Sequence, residues 1–155
     1  PAISSFQKER NCISKIVLAG TNIIRTQAAE AKSKELIELT GVHLPLEFYP
    51  QGKGSTKSYL DVLEKIKMPG CAIVAVPDHL HYEVTSACLE RGLHTLVVKP
   101  LTPTVEKAQK LVSLVKEKDI YGAVEFHKRR DRQIRILRRE YQSGKFGVPL
   151  YTWTE

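Results

Sequence analysis

The sequence predicts an α/β fold, an incomplete doubly wound parallel sheet of the Rossmann type with helices on both faces. Three observations carry this. Short apolar, β-branched runs recur along the chain, each is followed by a segment of helical periodicity, and the runs are continuous rather than alternating. Strands buried on both faces read in that way, and parallel neighbours need crossover helices of such length.

The first run, residues 13–20, is Ile-Ser-Lys-Ile-Val-Leu-Ala-Gly, and residues 23–39 after it are helix-forming. Residues 46–49 form a second short run ended by Pro50. Gly52, Gly54 and Ser55 then make a loop before an amphipathic helix over residues 58–67. Residues 71–76 form a continuous apolar strand stopped by Pro77. Val84, Ala87, Cys88 and Leu89 stand at helical spacing within residues 80–91, which Gly92 closes. Residues 95–98 are the next strand and 104–118 the next helix, with Thr104 as N-cap and Leu111, Leu114 and Val115 as its apolar stripe. A fifth strand over residues 121–126 and a helix over 131–143 complete the pattern. Residues 150–153, behind Pro149, read as the opening strand of a following domain.

A chain of 155 residues with 42% hydrophobic content can build one core. Lys and Arg number 24 against 17 Asp and Glu, and the net charge of +7 favours anionic partners without choosing among them. Cys12, Cys71 and Cys88 are scattered and odd in number, so they suggest neither a disulfide framework nor a metal site. A reducing, cytoplasmic compartment is the default. No stretch approaches a bilayer-spanning length, and no membrane role is expected. The basic segment 127–139 lacks any helix-turn-helix, zinc or RNA-recognition signature, which argues against nucleic-acid binding.

Ligands of open parallel sheets bind outside the carboxyl ends of the strands. The segments in that position are Gly20-Thr21-Asn22, Val76-Pro77-Asp78-His79-Leu80-His81, Val98-Lys99-Pro100-Leu101, and residues 125–131. The Gly52-Lys53-Gly54 segment lacks a third glycine and the P-loop spacing, and reads as a surface loop.

Taken in order, Val-Pro-x-x-x-His at 76–81, Leu-Glu-Arg-Gly-Leu-His at 89–94, Lys99-Pro100-Leu101, Val-Glu-Phe-His-Lys-Arg at 124–129 and Ser143-Gly144-x-x-Gly147-x-Pro149 resemble one family. It is the glucose-fructose oxidoreductase, inositol dehydrogenase and MocA group of NAD(P)-dependent enzymes, and the string is most similar to its D-galacturonate reductase-like branch. Two departures stand out. The family's Glu-Lys-Pro is here Val98-Lys99-Pro100, and its Gly-x-Gly-x-x-Gly turn is absent.

The resemblance implies hydride transfer between nicotinamide and a sugar, sugar acid or polyol, with Lys99 as the catalytic group that also contacts substrate. It implies cofactor contacts from Gly20, Thr21, Asn22, Arg25, Val76, Pro77, Asp78, His81, Pro100, Glu125 and His127. Lys128 and Arg129 would bind substrate, where a guanidinium can hold a carboxylate in bidentate fashion. It further implies residues 1–148 as a partial nucleotide-binding domain without its first strand and glycine-rich turn, residues 149–155 as the start of a substrate domain, and a homo-oligomer in the full-length protein. No acidic residue stands at 20–22 while Arg25 is near, which points to NADP over NAD; against this, Asn22 caps the helix and Arg25 is solvated. His81 has two readings as well, a cofactor contact or a helix-start histidine that satisfies backbone groups. The expectation from a different class is a non-catalytic fragment or interaction module.

Overall fold

The computed structural model describes residues 2–148 and 150. The chain divides into two compact units, Pro1–Gly70 and Cys71–Glu155. The expected opening strand of a further domain at 150–153 lies almost wholly outside the described residues.

In the first unit, α1 (Ala2–Arg10) leads to β1 (Ile16–Ala19), α2 (Ile23–Thr40), β2 (Leu46–Tyr49) and α3 (Ser58–Lys65). β1 and β2 pair in parallel, Ile16 with Leu46 through Ala19 with Tyr49. The strand begins three residues later than the sequence predicts because Ile13 is already engaged. Its N–H donates to Gln7 Oε1 (2.9 Å) and its carbonyl accepts from Gln7 Nε2 (3.2 Å). Asn22 caps α2, its Oδ1 accepting from the Arg25 N–H at 2.9 Å, and Gly41 ends that helix in the left-handed region at φ 64°. Val62 and Leu63 of α3 are buried, and Thr26 is buried with its hydroxyl spanning the carbonyls of Asn22 and Tyr49.

The second unit runs β3 (Cys71–Val74), a 3-10 turn (Asp78–Leu80), α4 (His81–Glu90), β4 (His94–Val98), α5 (Val105–Glu117), β5 (Gly122–Glu125), a 3-10 turn (His127–Arg130) and α6 (Arg132–Gln142). Its strands form a parallel sheet in the order β3-β4-β5. The register sets Val74 beside Val97 and Val97 beside Val124, so the strands reach their carboxyl ends together. Val74, Thr95 and Val97 are buried with Val84, Thr85, Cys88 and Leu89 of α4 and Leu111 of α5, which makes this the better-packed core. A Cβ at Gly122 would come within 2.8 Å of a Val115 methyl, so glycine lets α5 lie close on β5. Thr104 caps α5 as predicted.

The parallel strands thus fall into a two-stranded and a three-stranded sheet. α6 packs against the turn that precedes it, and its predicted apolar stripe of Ile134, Leu137 and Tyr141 stays exposed. The arginines of that helix are solvated.

Candidate functional site

In the second unit three turns leave the carboxyl ends of adjacent strands. Residues 75–77 follow β3, Lys99 and Pro100 follow β4, and Phe126 and His127 follow β5. Since the ladder aligns Val74 with Val97 and Val98 with Glu125, these segments share one sheet edge. Lys99 is exposed there, ahead of the cis Lys99–Pro100 bond. Val76 is half-buried, while Pro77 and Asp78 are exposed at the start of the 3-10 turn.

His81 holds this edge together from beneath. The ring is 1% exposed, and both nitrogens face backbone carbonyls, Nε2 that of Val76 at 2.8 Å and Nδ1 that of Pro100. A contact from the imidazole to cofactor is therefore not what this geometry offers. The residue satisfies backbone groups, but those of two neighbouring strand ends rather than the N–H groups of its own helix. One turn on, the buried Thr85 hydroxyl has no partner among the described residues.

At the end of β5 the carboxylate of Glu125 stands 3.3 Å from Nδ1 of His127, with side chains 33% and 58% exposed. The two cations expected to hold substrate are already engaged. Lys128 Nζ lies 3.7 Å from Asp131, and the Arg129 guanidinium stacks over the Phe126 ring at 4.6 Å.

In the first unit the turn after β1 is tightly buttressed. The Gly20 N–H donates to the Tyr49 carbonyl at 2.8 Å. Gly54 packs so close that a Cβ there would lie 2.6 Å from the Thr21 carbonyl oxygen and 2.4 Å from Pro50 Cγ. The loop thus props the Thr21 turn through Gly54, while Gly52 stands in open space. Asn22 serves as the cap of α2, and Arg25 is exposed in the first helical turn. No carboxylate stands among residues 20–25, and the first-turn N–H groups of α2 suit an anion or a ribose hydroxyl. A Gly-x-Gly-x-x-Gly turn for the pyrophosphate is absent from the sequence.

The His81 bonds and the Gly54 approach escape sequence reasoning. The Val-Pro-x-x-x-His spacing marks His81 as notable without saying what it touches. For Gly54 the only signal is the glycine itself.

The described residues contain no group of three His, Cys, Asp or Glu side chains placed to hold a metal ion. Among them, no helix is long and apolar enough to cross a membrane. The Cys88 thiol, buried in α4, is pushed up to about 11 by desolvation and has no role at the sheet edge.

Residues 14–126 match the Gfo/Idh/MocA family described as an oxidoreductase family with an NAD-binding Rossmann fold. Levoglucosan dehydrogenase of Pseudarthrobacter phenanthrenivorans is 34% identical over 74 residues, which are 48% of this chain and 19% of the relative. The 1,5-anhydro-D-fructose reductase of Ensifer adhaerens is 30% identical over 104 residues, 66% of this chain and 31% of that enzyme. Among solved structures, an oxidoreductase from Bacillus cereus superposes with a TM-score of 0.67 at 22% identity, over 92% of this chain and 35% of its own, a likeness of fold. The chain spans a fifth to a third of the length of these two curated relatives.

Proposed function

The chain belongs to the Gfo/Idh/MocA oxidoreductase family, with its NAD-binding Rossmann fold, and on that premise we propose that it supplies the nicotinamide-nucleotide side of a dehydrogenase acting on a sugar, sugar acid or polyol. The observation that carries the reading is exposed Lys99 at the carboxyl end of β4, between turns from β3 and β5 that share its edge. A fixed cation there hydrogen-bonds the reacting oxygen and stabilises the charge that grows on it, while the bound nicotinamide supplies the hydride chemistry. The names of these two relatives, a levoglucosan dehydrogenase and a 1,5-anhydro-D-fructose reductase, support a carbohydrate-type substrate.

The reading extends to NADP as the nucleotide. Residues 20–22 hold no carboxylate to take a ribose 2′-hydroxyl, and Arg25 is free to meet a 2′-phosphate. Residues 1–148 are the nucleotide-binding part in this reading. The parallel pairings β1–β2 and β3–β4–β5, each within its own unit, support this reading.

A second reading is nucleotide binding without turnover, since the matched segments are only 19% and 31% of the two relatives' length. Titration of the chain with NADPH and NADH, read by nicotinamide fluorescence and by melting temperature, tests both. Saturable binding with a raised melting temperature is the expected result. If a folded sample binds neither nucleotide, the proposal fails. Lys99→Met then separates the two readings, since it should leave nucleotide affinity unchanged and lower hydride transfer by about 10²–10³.

A further inference from the structure

The buried ring of His81 faces two carbonyls, Nε2 that of Val76 and Nδ1 that of Pro100. A neutral imidazole carries one N–H and one lone pair, so the two carbonyls share a single donor. They do not depend on it equally. Val76 lies five residues before His81, and its turn is closed without the ring, the Leu80 N–H donating to the Pro77 carbonyl at 2.8 Å. Pro100 lies nineteen residues beyond His81 and has no N–H of its own. The next side-chain bond along that turn, from the Thr102 hydroxyl to the Thr104 carbonyl, stays within the loop. No ion pair holds the Lys99 ammonium among the described residues, so the backbone on either side of Lys99 decides where it stands.

We propose that the His81 proton stands chiefly on Nδ1 and that His81 is a positioning residue for Lys99, a role that rests on the dehydrogenase reading above. Its N–H donates to the carbonyl of Pro100, the residue next to Lys99, and so fixes the direction in which the chain leaves β4. The anchor is firm: His81 opens α4, and α4 packs against both β3 and β4. A group held from a packed helix keeps its place more closely than one held by its own loop. Placement matters here because a shift of about 1 Å at a reacting centre costs up to about a hundredfold in rate. The ring touches neither substrate nor nucleotide and acts only through Pro100.

Two substitutions separate the ring's contacts. The amide nitrogen of His81→Asn stands near the place of Nδ1 and keeps a donor for Pro100, whereas that of His81→Gln reaches toward the place of Nε2 and keeps one for Val76. Long-range ¹H–¹⁵N spectra of the wild-type ring should show the proton on Nδ1. Amide order parameters of Lys99 and Leu101 should be about 0.85 in the wild type and His81→Asn, and fall below about 0.7 in His81→Gln. In the nucleotide-loaded chain with a polyol series, His81→Gln should lower kcat by about tenfold to a hundredfold with KM changed less than about twofold, and His81→Asn should restore most of the rate. A merely structural role would instead make order and rate follow melting temperature in both variants. A ring whose only proton is on Nε2, or equal order at Lys99 and Leu101 in the two variants, overturns the tether. If the wild-type chain binds no nicotinamide nucleotide, the dehydrogenase reading falls first and the role with it; wild-type turnover in His81→Gln removes the role alone.

Discussion

His81 reaches from the first turn of α4 to the carbonyl of Pro100, nineteen residues further along the chain, and its other nitrogen bonds the carbonyl of Val76. One fully buried ring thereby fastens the turns after two adjacent strands. His81→Leu removes the imidazole N–H from a dry site lined by the Val76 and Pro100 carbonyls and should lower unfolding free energy by about 1–3 kcal/mol. His81→Gln and His81→Asn each keep a donor and should lose less. Urea denaturation of the three variants checks the order, and equal stability of His81→Leu and wild type would remove the fastening role.

Two glycines of one loop should behave in opposite ways. Gly54→Ala places a methyl against the Thr21 carbonyl and the Pro50 ring, so the loop must shift, at a cost of about 1–3 kcal/mol. At Gly52 a Cβ meets nothing within 4 Å. Gly52→Ala should be neutral or stabilise by about 0.4–1 kcal/mol through the unfolded chain. Thermal melts of the pair decide it.

Asn22→Asp keeps a good cap for α2 and adds a negative charge that the helix N-terminus tolerates. Under the proposed function it also supplies the carboxylate that takes a ribose 2′-hydroxyl and repels a 2′-phosphate. The NADH-to-NADPH affinity ratio should rise by about tenfold or more, with the melting temperature nearly unchanged. A ratio that does not move would place the ribose elsewhere.

The Cys88 thiol is held at about 11 against an ordinary 9.0 by burial. The folded state thus keeps a proton that the unfolded state gives up first. Its contribution to stability is whole below pH 9, falls between pH 9 and 11, and levels beyond, a total of about 2–3 kcal/mol. Cys88→Ala should flatten that part of the stability–pH curve. At pH 8, exposed Cys12 and Cys71 should alkylate well before Cys88.

All five strands and the principal helices were legible because local periodicity dictates them, and residues 46–49 and the Thr104 cap fall where the pattern puts them. Strand ends were less legible, for a reason that recurs. β3 stops at Val74, two residues early, and the carbonyl of Val76 goes to the His81 ring. β5 opens one residue late, at Gly122, and the Tyr121 N–H goes to Nδ1 of His94. Such side-chain partners lie up to 27 residues away in sequence, beyond any window of periodicity. The site divides likewise. Motif spacing marked Lys99 and the strand-end segments, but that Glu125 stands beside Val98 is a property of register, and the engagement of Lys128 and Arg129 is a property of the turn after β5.

The amide of Gln7 meets Ile13 with one donor and one acceptor, at 3.2 and 2.9 Å, in the pattern by which a neighbouring strand would. A side chain here impersonates a backbone. The residue that would otherwise offer a free template for intermolecular pairing is occupied from within its own chain. Gln7→Ala would uncover that template, and its effect should be read as faster growth of aggregates during storage at high concentration, in a variant whose folded spectrum is otherwise unchanged.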